Sequence, residues 1–477
     1  MSHIKRKRKS SVPSCSKMSV SVELEKTVAE QQTTMDDLEI LSCHVLTESL
    51  LTSGSGFSNY QGIFNLSVVL LVLIHIQMCL ENFTKYGLLV DPRQIVSYLL
   101  QDRYNCPALY LNVGMILFVF PALYLENLKT KSYSAETLGS VLQYIHLALL
   151  IAAPGCVVYC VKSISPVGSV LTLLLSVIFF LKLYSFYEVN RWYRSKHPRT
   201  SQGALKKLGT DLPSRHSKMN DRGLKQIMYP WNLTIQDFCY FIMAPTLCYQ
   251  LNFPRSKWIR KRFIFWRLFE MVFLAQLVLG LIQQWIAPII QKSLKPINEI
   301  EFSLLMEYIL KLAVPNQFVW LILFYWFFHC FLNLIAELLC FGDREFYLDW
   351  WNTNNLLNFW SDWNRPLHTW FIRHVYTPLL LHGFEKLQAQ TVVFLISAII
   401  YEYLISVPLQ MFQFWIFTTV LAQVPLFWLM EKVCGGSYGN VILWGNAVLG
   451  TPLVVFLYFH DYYVEQIRSG PSWGLFF

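Results

Sequence analysis

The chain has 477 residues, 54% of them hydrophobic, 16% aromatic and only 14% charged, with a mean hydropathy of +0.38. Soluble domains usually carry about 25% charged residues; here the deficit falls in long runs almost free of charge, which excludes an ordinary soluble protein in favour of an integral membrane one. The net charge of +9 gives no reason to expect nucleic acid as a partner, because Lys and Arg gather in the first residues and in loops flanking the apolar runs.

Residues 1–42 open on Lys5-Arg-Lys-Arg-Lys9 and continue in Ser, Thr, Glu and Gln. No apolar core follows the basic start, so this is not a cleavable signal peptide. A disordered cytosolic tail is expected; a nuclear address or a contact with anionic lipid is the sharper alternative. Residues 43–62 then lead into the first apolar run.

A helix needs about 20 mainly apolar residues to cross a bilayer core. The runs at 63–80, 109–124, 138–161, 167–184, 268–290, 318–339, 391–407, 412–430 and 441–459 predict about nine transmembrane helices, an all-α polytopic protein. Residues 237–251 are apolar too, but Pro245 interrupts them, which predicts an interfacial or partly buried helix. Lys and Arg collect in the loop 191–225 and again at 255–262. With the positive loops in the cytosol, the N-terminus and residues 343–390 are cytosolic and the C-terminus is luminal. The sequon Asn82-Phe-Thr84 then faces the lumen, close enough to the membrane that an unmodified loop is expected. Eleven cysteines are scattered, several within apolar runs (Cys79, Cys156, Cys160, Cys330), and reduced, buried thiols are expected. No C-x-x-C pair or His/Cys spacing points to a metal, and no Walker loop, dinucleotide fingerprint or internal repeat points to a pump or an inverted-repeat transporter.

Two segments carry unusual polarity. Tyr401 and Glu402 stand about ten residues into an apolar run, where polar groups are costly and usually have a partner or a task. A tyrosine alone there is most simply a packed core residue. The adjacent glutamate has two readings of equal weight: a structural partner to an Arg, Lys or His on another helix, or an active-site residue. The second segment, 343–376, alternates Asp343, Arg344, Glu345 and Asp349 with Phe346, Tyr347, Trp350 and Trp351, and continues through Asn352, Asn358, Trp360, Asp362, Trp363, Asn364, His368 and Tyr376. An aromatic belt at the membrane interface explains the tryptophans; the mouth of a polar tunnel explains the amides and carboxylates.

Phe346-Tyr-Leu-Asp-Trp-Trp-Asn352 resembles the signature of the sterol and diacylglycerol branch of the membrane-bound O-acyltransferases. Ala244-Pro-Thr-Leu-Cys-Tyr-Gln-Leu-Asn-Phe-Pro-Arg255, Ser55-Gly-Phe-Ser-Asn-Tyr-Gln-Gly-Ile63, Leu281-Ile-Gln-Gln-Trp285 and His460-Asp-Tyr-Tyr463 are similar to the diacylglycerol side of that branch. The resemblance implies a membrane core over 63–464 around a central reaction chamber, a luminal tail over 465–477, residence in the endoplasmic reticulum, and transfer of a fatty acyl group from acyl-CoA to diacylglycerol without a cofactor. It also implies a homodimer or homotetramer assembled through the N-terminal segment. The family's asparagine partner falls on Asn364, beside Trp363, and its glutamate on Glu402. His368, Tyr376, Lys386, Ser397 and Gln423 match positions lining the acyl-CoA path or chamber.

Four positions depart from the family. Tyr401 stands where the family has its general-base histidine, Val420 replaces a methionine, Thr451 a glutamine and Gln390 an arginine. Imidazole starts near 6.5 and a phenol near 10, so about one phenol in a thousand is ionised at neutral pH. Losing a general base removes about 10²–10⁴ in rate. Two functions follow from the sequence: an acyltransferase that is slow or uses His368 or Glu402 instead, and a catalytically silent paralogue that binds acyl-CoA or lipid or pairs with an active subunit. A transporter is favoured by the span count alone.

Overall fold

The computed structural model describes residues 61–63, 65–66, 69–70, 73, 107–130, 133–161, 164–196, 227–293, 302–433 and 437–468. The tail 1–42, most of 43–62 and of the 63–80 span, Asn82, the greater part of the loop 191–225 and residues 469–477 lie outside them. Lipid offers no hydrogen-bond partners, so a chain this apolar must satisfy its backbone within each segment. Among the described residues the fold is accordingly helical, with one isolated β-bridge between Arg255 and Phe341.

Helix α1 (Pro107–Phe118) and α2 (Pro121–Lys129) are separated at Pro121, which has no N–H to continue the ladder. They pack with α3 (Tyr133–Cys160) and α4 (Pro166–Lys196). The short α5 (Ile235–Met243) precedes α6 (Lys261–Leu281), which runs through a π turn at Ile282–Ile286 into α7 (Ala287–Lys292). Helix α8 (Phe302–Phe324), a π turn at Tyr325–Phe331 and α9 (Leu332–Leu338) form one long rod. Next come α10 (Leu356–Trp363), α11 (Arg365–Phe371), a π turn at Ile372–Tyr376 and α12 (Thr377–Leu381). The last three are α13 (Lys386–Leu409), α14 (Trp415–Val433) and α15 (Ser437–Arg468).

Six stretches of the described residues are long and apolar enough to cross a membrane: Pro107–Lys129, Glu136–Cys160, Pro166–Lys196, Phe302–Leu338, Lys386–Leu409 and Gly439–Tyr462. Three of the nine expected spans are not among them. The 63–80 run lies mostly outside the described residues, the 268–290 run is helical through α6, its π turn and α7, and α14 contributes only the shorter apolar stretch Trp415–Leu426. The expected interfacial helix is α5, nine residues or about 14 Å long. Thr234 caps its start by accepting the Asp237 N–H, and buried Lys182 closes its end by donating to the carbonyls of Phe241, Ile242 and Ala244 at 2.9, 3.0 and 2.6 Å. The expectation of buried thiols needs correction: the six described cysteines are free, but only Cys248 and Cys330 are buried, while Cys156 and Cys160 lie on the outer face of α3.

Two cores organise the bundle. One joins α2, α3, α4 and α5 through Phe186, Tyr187, Phe238, Phe241 and Tyr249. The other is built on Phe346, Tyr347, Trp350 and Trp351 with Phe324, Phe328, Phe359 and Trp444. Helix α13 stands between α4 and α14.

Gly62, Ala244 and Phe253 meet the Phe346–Asn352 segment at the second core, whereas Leu281 and Ile282 pack with Phe456, on whose ring His460 stacks. Pro254 O accepts from Gly342 N–H at 2.8 Å and Cys340 O from Ser256 N–H at 2.9 Å, flanking the Arg255–Phe341 bridge. Buried Glu337 then receives Arg260 and Arg344 together. At the far edge, Gly62 N–H donates to Asn352 Oδ1, and a Cβ at Gly62 would lie 1.4 Å from Trp351 O, so only glycine fits there.

Candidate active site

Helix α13 presents Lys386, Gln390, Phe394, Ser397 and Tyr401 at spacings of four, four, three and four, a single stripe. It begins at exposed Lys386 beside the Glu385–Gln388 capping box and reaches Tyr401 about 22 Å deeper. Phe394 and Ala398 pack with Val420 of α14, and the ring of Tyr401 joins this cluster with Leu357 and Trp360 of α10 and with Ile416, Phe417, Leu421 and Val424. Tyr401 thus lies among three helices but is only half-buried, and its hydroxyl has no hydrogen-bond partner among the described residues.

Two amides, Gln423 on α14 and Asn364 at the end of α10, have their polarity fixed. Trp360 Nε1 donates to Gln423 Oε1 at 2.7 Å, so Gln423 is left with its amide N–H groups. Asn364 ends α10 in an extended conformation and caps α11, its Oδ1 accepting the Leu367 N–H at 3.1 Å. Its free end is likewise the amide NH₂. Asn364 lies one helical turn beyond Trp360, on the Leu357–Trp360 side of α10. Trp363 holds this corner, stacked on Trp320 at 4.5 Å between centroids and packed against Phe324, Phe328 and Trp350.

His368 follows one turn after Asn364, half-buried. Burial, helped by the Arg365 guanidinium, pushes its imidazole down to about 4, so it is neutral at pH 7 and a weak base. Tyr376, at the end of the π turn, is half-buried as well. Thr451 stands apart on α15, its hydroxyl turned back onto Ala447 O of its own helix.

Glu402 is buried and committed elsewhere. Its Oε1 accepts from Ser406 Oγ, from Tyr458 Oη at 2.9 Å and from Phe414 N–H at 3.1 Å, while Oε2 accepts from Phe417 N–H at 3.0 Å. The partners are a hydroxyl of its own helix, a tyrosine of α15 and the backbone at the start of α14, not the cation that the structural reading of this residue named.

The motif residues divide by burial. Phe346, Tyr347, Trp350 and Trp351 are core, Tyr347 bonded to His329 Nδ1 at 2.7 Å, whereas Asp349 and Asn352 are half-buried. The four rings thus form a frame rather than an interfacial belt or a tunnel lining. Trp360, which orients Gln423, was the residue least visible in the sequence; its place on the Leu357–Asn364 face of a polar-aromatic helix was the available signal. Among the described residues no group of three His, Cys, Asp or Glu side chains is placed to hold a metal ion.

The family model of the membrane-bound O-acyltransferases matches residues 130–460. The chain is 48% identical to diacylglycerol O-acyltransferase 1 of Bos taurus over 91% of its own length and 87% of the relative's. It is 47% identical to that of Homo sapiens over 90% and 86%, and 32% identical to that of Dictyostelium discoideum over 93% and 67%. With the family model matched over more than half of its length and relatives near 48% identity, the chain belongs to the membrane-bound O-acyltransferase family.

Proposed function

We propose that this chain is an acyl-CoA:diacylglycerol O-acyltransferase of slow turnover, forming triacylglycerol and free CoA. It acts in the endoplasmic reticulum membrane as a homodimer or homotetramer, with the N-terminus cytosolic and the C-terminus luminal. Identity of 48% over 91% of the chain to a protein named for this reaction supports the substrate pair. The single observation that carries the chemistry is the stripe from exposed Lys386 to Tyr401, whose ring shares a cluster with the indole that orients the Gln423 amide.

The thioester enters along the α13 stripe from the Lys386 end. The acceptor's hydroxyl oxygen attacks the thioester carbonyl carbon, the C–S bond breaks, and the hydroxyl proton ends on the CoA sulfur. Amide N–H groups of Asn364 and Gln423 stabilise the carbonyl oxygen as charge develops there. Tyr401 orients the attacking alcohol through its hydroxyl; a phenol of ordinary pKa near 10 does not deprotonate an alcohol efficiently at neutral pH. Glu402 has its oxygens engaged and His368 is a weak base, so neither replaces a histidine at 401.

Microsomes holding the wild-type chain or Tyr401→His, fed labelled acyl-CoA and diacylglycerol, test this. The revertant is expected to form triacylglycerol about 10²–10⁴ times faster. Equal rates overturn the slow-phenol mechanism. If neither makes product while acyl-CoA still raises the melting temperature, the chain is the silent binder instead.

A further inference from the structure

Helix α14 begins without a cap of its own. Its N-cap position is Phe414, whose carbonyl accepts the Thr418 N–H at 3.0 Å but whose side chain has no oxygen to offer the Phe417 N–H. Phe414 is also left-handed, at φ 57°, a conformation that crowds the Cβ of any L-residue and is rare for a bulky one. Glu402, from the preceding helix, bonds the N–H groups of both Phe414 and Phe417 and takes the hydroxyls of Ser406 and Tyr458. One carboxylate therefore supplies the missing cap, holds the strained turn and joins α13, α14 and α15. It sits at a helix N-terminus, where a negative charge is favoured.

The two walls it joins are those of the candidate site. Tyr401 is the next residue on α13, and Val420 and Gln423 lie two to three turns into α14 from the capped end. We propose that Glu402 is a positioning residue for the acyl-transfer site: its cap fixes α14 against α13 and so sets the gap between residue 401 and the Val420–Gln423 wall. It carries no proton in the reaction. The kinetic part of this proposal rests on the acyltransferase reading above.

The test uses the full chain in the Tyr401→His background, with Glu402→Ala, Glu402→Gln, and Glu402→Ala combined with Phe414→Gly. Glu402→Ala is expected to lower kcat about 100-fold, the scale of a misplacement near 1 Å, and to leave the KM for acyl-CoA within about threefold, since the Lys386 end is untouched. Glu402→Gln keeps an acceptor oxygen and is expected to lose about tenfold. Glycine adopts the left-handed turn without a Cβ, and Phe414 is 54% exposed, so Phe414→Gly should restore about tenfold to Glu402→Ala. The pH–rate profile keeps its shape in every variant. Loss of a pH limb in Glu402→Gln, or no recovery from Phe414→Gly, overturns the proposal in favour of a proton-transfer role.

Should Tyr401→His make no product, the acyltransferase reading fails, and the clasp is judged by thermal unfolding alone. Glu402→Ala must then lower the apparent Tm and Phe414→Gly must raise it again. An unchanged Tm in Glu402→Ala overturns the clasp.

Discussion

The core around Trp350 and the cluster around Tyr401 are built by opposite rules. Trp350 is 2% exposed and packs at 5.0–5.8 Å between ring centroids against Trp320, Phe324, Trp351, Phe359, Trp363 and Trp444. By contrast, the side chains of Asn364, His368, Ser397, Tyr401 and Gln423 are all half-buried, and the Asn364 and Gln423 amide N–H groups are without acceptors among the described residues. The most recognisable segment of the chain is therefore its frame, and the residues proposed for the chemistry are the less tightly packed ones.

Truncation should separate the two regions. Trp350→Ala removes a ring from a site that cannot collapse onto the gap, and is expected to cost about 3–5 kcal/mol of stability, read as a large fall in apparent Tm. An unshifted Tm would show that the frame is not rigid. At the other region, Gln423→Leu removes the amide N–H groups together with the Oε1 that accepts the Trp360 indole N–H. Its expected effect is a loss of about 10²–10³ in kcat, or about 2.7–4 kcal/mol in barrier height, with a fall in Tm smaller than that of Trp350→Ala, since one indole N–H left unpaired costs about 1–3 kcal/mol. If Gln423→Leu instead melts the protein like Trp350→Ala, the amide belongs to the frame.

Lys182 lies outside both regions and sharpens the comparison. Its ammonium serves only backbone carbonyls at the end of α5, so Lys182→Met should leave those acceptors unpaired at a cost of about 1–3 kcal/mol, without altering the ratio of kcat to KM per folded molecule. A specific loss of kcat in the folded fraction would place it in the reaction path.

Much of this was legible in the sequence, for physical reasons. Apolar runs gave α3, α13 and α15 to within several residues because lipid forces length and helicity together. The start of α8 was missed by 16 residues, at Phe302 rather than 318, because Glu307, Lys311 and Pro315 interrupt the hydropathy. The structure removes that objection by pairing Lys311 with Glu307 at 2.5 Å across one helical turn. The α13 stripe was written in the spacing of Lys386, Gln390, Ser397 and Tyr401. Glu402 was not readable, since apart from Ser406 of its own helix its donors come from the start of α14 and from α15, 12 to 56 residues away. Neither was the orientation of Gln423, which depends on an indole 63 residues earlier.

The smallest expected effect concerns pH, and it touches the strip of chain that follows α11. His374 lies in the π turn after α11, its Nε2 at 2.9 Å from Ser185 Oγ and its ring stacked on Trp192 at 5.6 Å. Burial first, and the Arg373 guanidinium second, push its imidazole down to about 3, while His368 stands at about 4 for the corresponding reasons. An unfolded histidine titrates near 6.5. Between those values the unfolded chain binds more protons than the folded one, so stability rises with pH across the window and is lost as pH falls from about 6.5 toward 4. Replacing His374 by Gln keeps a hydrogen-bonding group beside Ser185 but removes one titrating site. The apparent Tm of the solubilised protein, followed from about pH 7 to pH 4.5, should therefore fall less steeply in His374→Gln than in the wild type, by at most about 1.4 kcal/mol per pH unit. A slope identical to wild type would mean that this imidazole already carries its proton in the folded protein, and that the strip is held by a cation rather than by a neutral, buried ring.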